Sequence, residues 1–238
     1  DSVKSRGLGD VYKRQASAGT QTITNNNTLA IADGTGGLAS NYTLSGATIN
    51  VTIIPRTLNV TLSREYDGTT SVSGASLTPT FDSLQGGETL ALSGTGSVST
   101  ANVGSSKAVS LGSIALVAGS GNPSNYSLNS ATMNVTQRVI NLDGIRAYDA
   151  TTNVLSSDIN TFGNIVSGET LTISGTGSVG TNSVAMNKAI TIGSLSLGNG
   201  SGLASNYTLT GGTHTFDISP VSVNVTGSRQ YNGTNVID

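Results

Sequence analysis

The sequence repeats itself with the period of one small domain, and this constrains the fold more than any other feature. The string Tyr66-Asp67-Gly68-Thr69-Thr70 returns as Tyr148-Asp149-Ala150-Thr151-Thr152 and again as Tyr231-Asn232-Gly233-Thr234-Asn235, at spacings of 82 and 83 residues. A fixed period of this kind is the signature of structural units that follow one another along the chain. The sequence therefore predicts several small domains in series.

Further repeated strings set the expected domain boundaries. Asn41-Tyr42-Thr43-Leu44 recurs as Asn125-Tyr126-Ser127-Leu128 and as Asn206-Tyr207-Thr208-Leu209, and Gly87-Glu88-Thr89-Leu90 recurs as Gly168-Glu169-Thr170-Leu171. We predict the C-terminal part of a repeat at 16–54, complete repeats at 55–136 and 137–219, and the N-terminal part of a further repeat at 220–238. The first 15 residues, which match nothing later in the chain, are expected to be a non-native tail.

The apolar residues within each repeat follow the period of β-strands. Leu58, Val60 and Leu62 alternate with polar neighbours, as do Ile140 and Leu142, and no segment shows helical periodicity. The pattern predicts an all-β fold of roughly six or seven short strands per repeat. Each repeat of about 82 residues would be a small β-sandwich-like domain, either immunoglobulin-like or β-grasp-like, within an elongated array.

The alternation changes phase once in each repeat. Val109 and Leu111 keep one phase, whereas Ile114 and Leu116 take the opposite one, with Gly112-Ser113 between the two pairs. The second repeat does the same around its own Gly-Ser pair. Such a slip indicates either a β-bulge or a strand that passes from one sheet to another.

The composition narrows the classes of partner. Charged residues make up 10% of the chain and the formal net charge is −2, so no basic surface for nucleic acid or for an anionic membrane is expected. The absence of Cys excludes disulfides and thiolate metal sites. No apolar run reaches the roughly 20 residues of a membrane-spanning helix. We expect no cofactor and no transmembrane segment in this fragment.

Six of the seven tyrosines stand at repeated positions, which favours a role as buried anchors for small cores. An exposed aromatic platform for sugars is the alternative. The six predicted anchors are Tyr42, Tyr66, Tyr126, Tyr148, Tyr207 and Tyr231.

An arginine lies two residues before the first tyrosine of each string, at Arg64, Arg146 and Arg229. On a strand this spacing places both side chains on one face. We predict that the arginine stacks on the ring or pairs with Asp67 or Asp149, and that Asp-Gly followed by Thr forms a tight turn. The aspartates could alternatively contribute to a calcium site at a domain junction.

Few residues support catalysis. The lone His214 follows Tyr207 by the offset that carries Met133 in the first complete repeat, which indicates an ordinary strand position. Repeated acidic and basic residues suggest one specific alternative, which is a Lys-Asn isopeptide crosslink assisted by Glu. The residues concerned are Glu88, Glu169, Lys107 and Lys188. The sequence otherwise predicts that the chain is not an enzyme.

The order of these motifs resembles the YDG domain. It runs from Arg64-Glu65-Tyr66-Asp67-Gly68-Thr69-Thr70 through Gly-Glu-Thr-Leu and Ser-Gly-Thr-Gly to Asn-Tyr-Ser/Thr-Leu before the next repeat. The resemblance implies tandem extracellular repeats of large bacterial surface proteins, including adhesins similar to filamentous haemagglutinins. It further implies display on the outer membrane or secretion, and it supplies no catalytic residues.

Two functions follow as expectations. The first is a structural stalk or spacer that projects a distal binding domain, with neighbouring repeats of the same chain as the main partners. In the second, the repeats are weak multivalent adhesive modules that bind host glycan or matrix or one another. A hydrolase is a third, less favoured function.

Overall fold

The computed structural model describes residues 17–23, 32–33, 35, 37–43, 49–231 and 233. The chain divides into two compact units, Asp1–Thr136 and Gln137–Asp238. The described residues contain β-strands and short 3-10 turns but no α-helix. The predicted tail at 1–15 lies outside the described residues. The prediction of an all-β fold built from tandem repeats is confirmed.

The first unit contains ten strands and three 3-10 turns in its described part. The turns are Ala39–Asn41, Gly74–Ser76 and Pro123–Asn125. The strands are β1 (Gly19–Ile23), β2 (Ile49–Ile53), β3 (Arg56–Glu65), β4 (Ser71–Ser73), β5 (Thr80–Phe81), β6 (Leu90–Ser93), β7 (Thr95–Val98), β8 (Gly104–Ser110), β9 (Ala115–Ala118) and β10 (Tyr126–Thr136).

The complete repeat of this unit is built on a six-stranded sheet with the order β4-β7-β8-β10-β3-β5, and β6 and β9 form a separate pair. Its first and last strands, β3 and β10, are parallel neighbours, with Arg56 opposite Tyr126 and Glu65 opposite Thr136. The last strand therefore lies in the middle of the sheet. The antiparallel pair β1-β2 precedes this repeat in the chain.

Two bent strands connect the sheet to the separate pair. β6 runs into β7 at Gly94, and β8 runs into β9 through Gly112, both glycines having positive φ angles. A Cβ atom on Gly94 would lie 2.0 Å from the carbonyl oxygen of Ser113, so only glycine fits where the strands cross. The phase slip in the sequence thus marks a strand that passes between sheets, the second of the two predicted alternatives.

The core of the first complete repeat lies between these layers. Leu58, Val60 and Leu62 of β3 are at most 2% exposed, as their alternation predicted. Leu58 forms one cluster with Leu90 of β6 and Tyr126 of β10, so that the two-stranded pair packs against the six-stranded sheet. This is the sandwich-like arrangement expected from the sequence.

The second unit repeats the architecture, with 3-10 turns at Ser156–Asp158 and Ala204–Asn206. Its six-stranded sheet has the order β13-β16-β17-β20-β12-β14, with β15-β18 and β11-β19 as separate pairs. The strands are β11 (Arg138–Val139), β12 (Asn141–Ala147), β13 (Asn153–Leu155), β14 (Ile159–Gly163), β15 (Leu171–Ser174), β16 (Thr176–Val179), β17 (Ala185–Thr191), β18 (Ser196–Asn199), β19 (Tyr207–Thr208) and β20 (Thr215–Ser219).

The closing strand differs between the repeats. The single strand β10 corresponds to β19 and β20, which are separated by a longer loop. Phe216 lies opposite Gly144, just as Met133 lies opposite Leu62 in the first unit. The predicted alignment of His214 with Met133 is therefore wrong, because the loop carries two extra residues and Phe216 takes that place. The large ring fits because a Cβ on Gly144 would lie 2.9 Å from it.

Candidate functional site

The Arg-x-Tyr-Asp string folds into a compact turn at the end of β3. Arg64 donates hydrogen bonds to the carbonyl oxygens of Ser71, at 2.5 Å, and Thr69, and its Nη1 lies 3.2 Å from Asp67 Oδ2. The Asp67 carboxylate in turn accepts the backbone N–H of Thr69 at 2.9 Å. The predicted pairing of Arg64 with Asp67 is present, and it ties the end of β3 to the start of β4. We call this set the arginine turn.

The second unit contains the same turn. Arg146 donates to the carbonyl oxygens of Asn153 and Thr151 and lies 3.0 Å from Asp149 Oδ1. The backbone N–H of Thr151 binds Asp149 and, as the largest cause, holds the pKa of that carboxyl below its usual value. The Arg64 and Arg146 side chains are each only 10% exposed. The turn is a structural feature of each complete repeat.

A tyrosine and a glutamate form a second repeated cluster, here called the tyrosine–glutamate lock. In the second unit the Tyr207 hydroxyl donates to Glu169 Oε2 at 2.7 Å and accepts the backbone N–H of Val166 at 3.2 Å. In the first unit Tyr126 donates to Glu88 Oε2 and accepts the N–H of Gln85 at 3.2 Å. Burial of Tyr126, together with its bond to Glu88, raises the pKa of its hydroxyl. The lock joins the closing strand to the turn before β6 or β15.

A glycine makes room for the glutamate of each lock. A Cβ on Gly202 would lie 2.3 Å from Glu169 Oε2, and one on Gly121 would lie 3.1 Å from Glu88 Oε2. Sequence reasoning missed the role of these glutamates. The available signal was their constant separation from the tyrosine, 38 residues in both repeats.

The four residues of the crosslink hypothesis have other hydrogen-bond partners in the structure. Lys107 donates to Thr100 Oγ1 at 2.9 Å and to the carbonyl oxygen of Asn102 at 2.5 Å. Lys188 makes the equivalent bonds to Thr181 and Ser183. Each lysine thus holds the loop that precedes its own strand, whereas Glu88 and Glu169 bind tyrosines.

The six tyrosines predicted as anchors fall into two groups. Tyr66, Tyr126 and Tyr207 are buried, with exposed fractions of 4%, 7% and 2%. The prediction of a buried anchor fails for three others, which are exposed: Tyr42, Tyr148 and Tyr231. Tyr42 and Tyr231 lie outside the two six-stranded repeats. Arg229 is exposed as well.

His214 has a structural role. The backbone N–H of the buried Leu142 donates to its Nδ1 at 3.1 Å, and its Nε2 lies 2.9 Å from the carbonyl oxygen of Leu209. The ring therefore satisfies two backbone groups where the longer loop interrupts the closing strand. Within the described ranges, no group of three or more His, Cys, Asp or Glu residues is placed to hold a metal ion. The same residues include no helix that is long and apolar enough to cross a membrane.

Two all-β repeats in tandem, each closed by an arginine turn and a tyrosine–glutamate lock, define the chain as a tandem β-repeat protein. A family model for the YDG domain matches residues 52–133 and 134–215. The chain belongs to the YDG domain family. Comparisons with curated proteins and with solved structures each found no match.

Proposed function

We propose that this chain is part of the stalk of a bacterial cell-surface or secreted adhesin, in which the YDG repeats are spacers that carry tension and project a distal binding domain. The observation that supports this role is the parallel pairing of the first and last strands of each repeat. The bacterial surface setting rests on the resemblance of the motifs to extracellular repeats and on a polar surface with few charges.

Because the first and last strands of a repeat are parallel, the chain leaves the repeat at the opposite end from where it enters. The chain enters the first repeat at Arg56 and leaves it at Thr136, which lies opposite Glu65. At about 3.3 Å per residue, the nine steps from Arg56 to Glu65 correspond to about 30 Å. The second repeat has the same geometry, since its last residue in β20, Ser219, lies opposite Ala147. Each repeat therefore moves the chain forward instead of returning it to its starting point.

The same pairing suits a segment under tension. A force applied to the two ends of a repeat slides β10 along β3, so all hydrogen bonds between the two strands resist together. In a hairpin pulled from its open end, by contrast, the bonds break one pair at a time. The arginine turn and the tyrosine–glutamate lock anchor the two ends of these strands. Their ionisable side chains bind backbone groups or one another, which suits a structural role rather than catalysis.

Single-molecule force spectroscopy tests the proposal. The chain has no Cys, so pairs of exposed residues can be converted to attachment points. Thr57→Cys with Thr136→Cys loads the β3-β10 pair in shear. Thr57→Cys with Ser127→Cys, which lie directly opposite each other, peels the same two strands apart. Both double variants are kept reduced until the handles are attached.

We expect the shear geometry to unfold at a several-fold higher force than the peeling geometry. A chain pulled from its two ends should give two large unfolding steps. Each step should release about 26 nm, from about 82 residues at 3.3–3.6 Å each less the folded length. Equal forces in the two geometries would refute a tension-bearing role. The surface setting has its own test, because an antibody against residues 55–219 should label intact bacteria that produce the protein.

A further inference from the structure

The closing strand of the second repeat is interrupted, and a histidine side chain bonds to the sheet at the gap. β11 pairs with β19, and the parallel pairing of β12 with β20 begins only at Asp143 and Thr215. The buried Leu142 lies between these two pairings, and its backbone N–H donates to His214 Nδ1 at 3.1 Å. An imidazole nitrogen therefore accepts a hydrogen bond of the kind that strand carbonyls accept in a regular ladder.

The first repeat has no ionisable side chain at this place. When the two sheets are aligned on Met133 and Phe216, His214 corresponds to Ala131. Ala131 lies opposite Val60 in the β3-β10 ladder, and neither side chain can gain or lose a proton. The first repeat is therefore a control within the same chain for any effect of pH on the second.

The two hydrogen bonds of His214 determine its protonation state. Because the N–H of Leu142 is the donor, Nδ1 must carry a lone pair. The neutral ring then has its hydrogen on Nε2, which lies 2.9 Å from the carbonyl oxygen of Leu209. An imidazolium carries N–H groups on both nitrogens and cannot accept the bond from Leu142. The closed arrangement thus requires the neutral ring, which is 8% exposed.

The charged residues on the elements around His214 are bonded to other groups. Asp143 accepts the Thr215 hydroxyl at 3.0 Å, and Asp217 accepts the N–H of Asn187 at 2.7 Å. The three cations bond to other side chains, which are Asn164 for Arg138, Asp149 for Arg146 and Thr181 for Lys188. The described residues place no carboxylate in hydrogen-bonding contact with the ring, so a charge on His214 would be buried without a bonded counter-ion.

We propose that the second repeat is closed by a pH-sensitive contact, which forms only while His214 is neutral. As the pH falls through the range of about 8 to 5 in which histidine takes up a proton, a proton from water adds to the lone pair of Nδ1. The bond from the Leu142 N–H is then lost, and loop 209–214 separates from β12. An open chain holds the added charge in water, whereas the closed repeat must bury it, so acid destabilises the closed form. This pH dependence goes beyond the spacer role and applies whether or not the chain carries tension.

Solution NMR of the full chain at pH values of about 7.5 and about 5 tests the proposal. The chain contains one histidine, so its ring nitrogen signals are unambiguous. At the higher pH we expect the signals of the ring with its hydrogen on Nε2. At the lower pH the hydrogen-exchange protection factor of the Leu142 amide should fall at least tenfold, while that of Val60 changes less than twofold. Equal protection of Leu142 at both pH values, or an equal loss at Val60, would overturn the proposal.

Two variants separate the acceptor from the proton. His214→Asn keeps an acceptor, since the asparagine Oδ1 takes the place of Nδ1, but it does not titrate. The Leu142 amide should then be protected at both pH values. His214→Ala removes the acceptor and should leave that amide weakly protected at both. Amides of the first repeat report whether each variant is folded.

The proposal is wrong if His214→Asn loses Leu142 protection between the two pH values as the parent chain does, because another group would then take up the proton. The parent chain supplies a second measurement that needs no variant. Loss of Leu142 protection must follow the same titration curve as the His214 ring nitrogens, and two different midpoints would refute the assignment. The unfolding forces of the stalk test are measured at neutral pH and stay independent of this result.

Discussion

Replacing Tyr207 by Phe should destabilise the second repeat by removing one oxygen atom. Tyr207 is 2% exposed, and its hydroxyl makes two bonds, to Glu169 Oε2 at 2.7 Å and from the N–H of Val166 at 3.2 Å. A hydrogen bond to a charged group contributes about 1.5–3 kcal/mol, and a buried N–H left without its acceptor adds to the loss. We expect the free energy of unfolding to fall by about 3 kcal/mol, which for a repeat of this size lowers Tm by roughly 12–24 °C.

Calorimetry measures the change in Tm, and amide hydrogen exchange assigns it to a repeat. Protection should fall in the second unit while amides of the first unit keep theirs. Tyr148→Phe is the matched control, since it removes the same atom from an exposed ring in the same unit. Its effect should stay within about 0.5 kcal/mol.

A double-mutant cycle with Glu169→Gln isolates the bond between the two side chains. Coupling of about 1–3 kcal/mol is expected for groups in direct contact. The reasoning would be refuted if Tyr207→Phe cost no more than Tyr148→Phe, because the hydroxyl would then not hold the closing strand.

Three further outcomes are expected in urea unfolding followed by circular dichroism. The pKa of Tyr126 is raised in the folded state, so its contribution is complete below the ordinary tyrosine pKa of about 10 and is lost as the pH rises above it. The first repeat should weaken at such pH, and Tyr126→Phe should remove this dependence. Gly175→Ala should lower the free energy of unfolding by at least about 1–3 kcal/mol, because φ is 91° and the new Cβ would lie 2.2 Å from a carbonyl oxygen. The control Gly180→Ala, where the new Cβ meets open space, should leave the free energy of unfolding unchanged. His214→Ala should cost about 1–3 kcal/mol by leaving the N–H of Leu142 without an acceptor.

Local pattern was enough to predict the strands and one of the two clusters. The alternation of Leu58, Val60 and Leu62 identified a buried face, and the slip at Gly112 marked the bent strand. Arg64 and Asp67 are three residues apart, so their pairing follows from the geometry of a short turn. Each of these features is encoded within about ten residues.

Features that depend on distant parts of the chain could not be predicted in this way. Alternation identifies the buried face of a strand but not the direction of the neighbouring strand, so the apolar pattern could not predict the parallel pairing of β3 and β10. In the sequence Glu88 lies beside glycines and resembles an exposed turn residue. Its role depends on Tyr126, which is 38 residues away in the chain. His214 was misaligned because two extra loop residues shift the register without changing the apolar pattern.

The position of the closing strand also determines when a repeat can fold. β10 lies between β8 and β3, so the sheet remains in two separate halves until the last eleven residues of the repeat are present. Closing the sheet requires contacts between residues about 70 apart, which is a slow step for a polypeptide. A repeat that is still being synthesised therefore lacks the strand that joins its two half-sheets. The sheet can be completed only once the whole repeat, β10 included, is available.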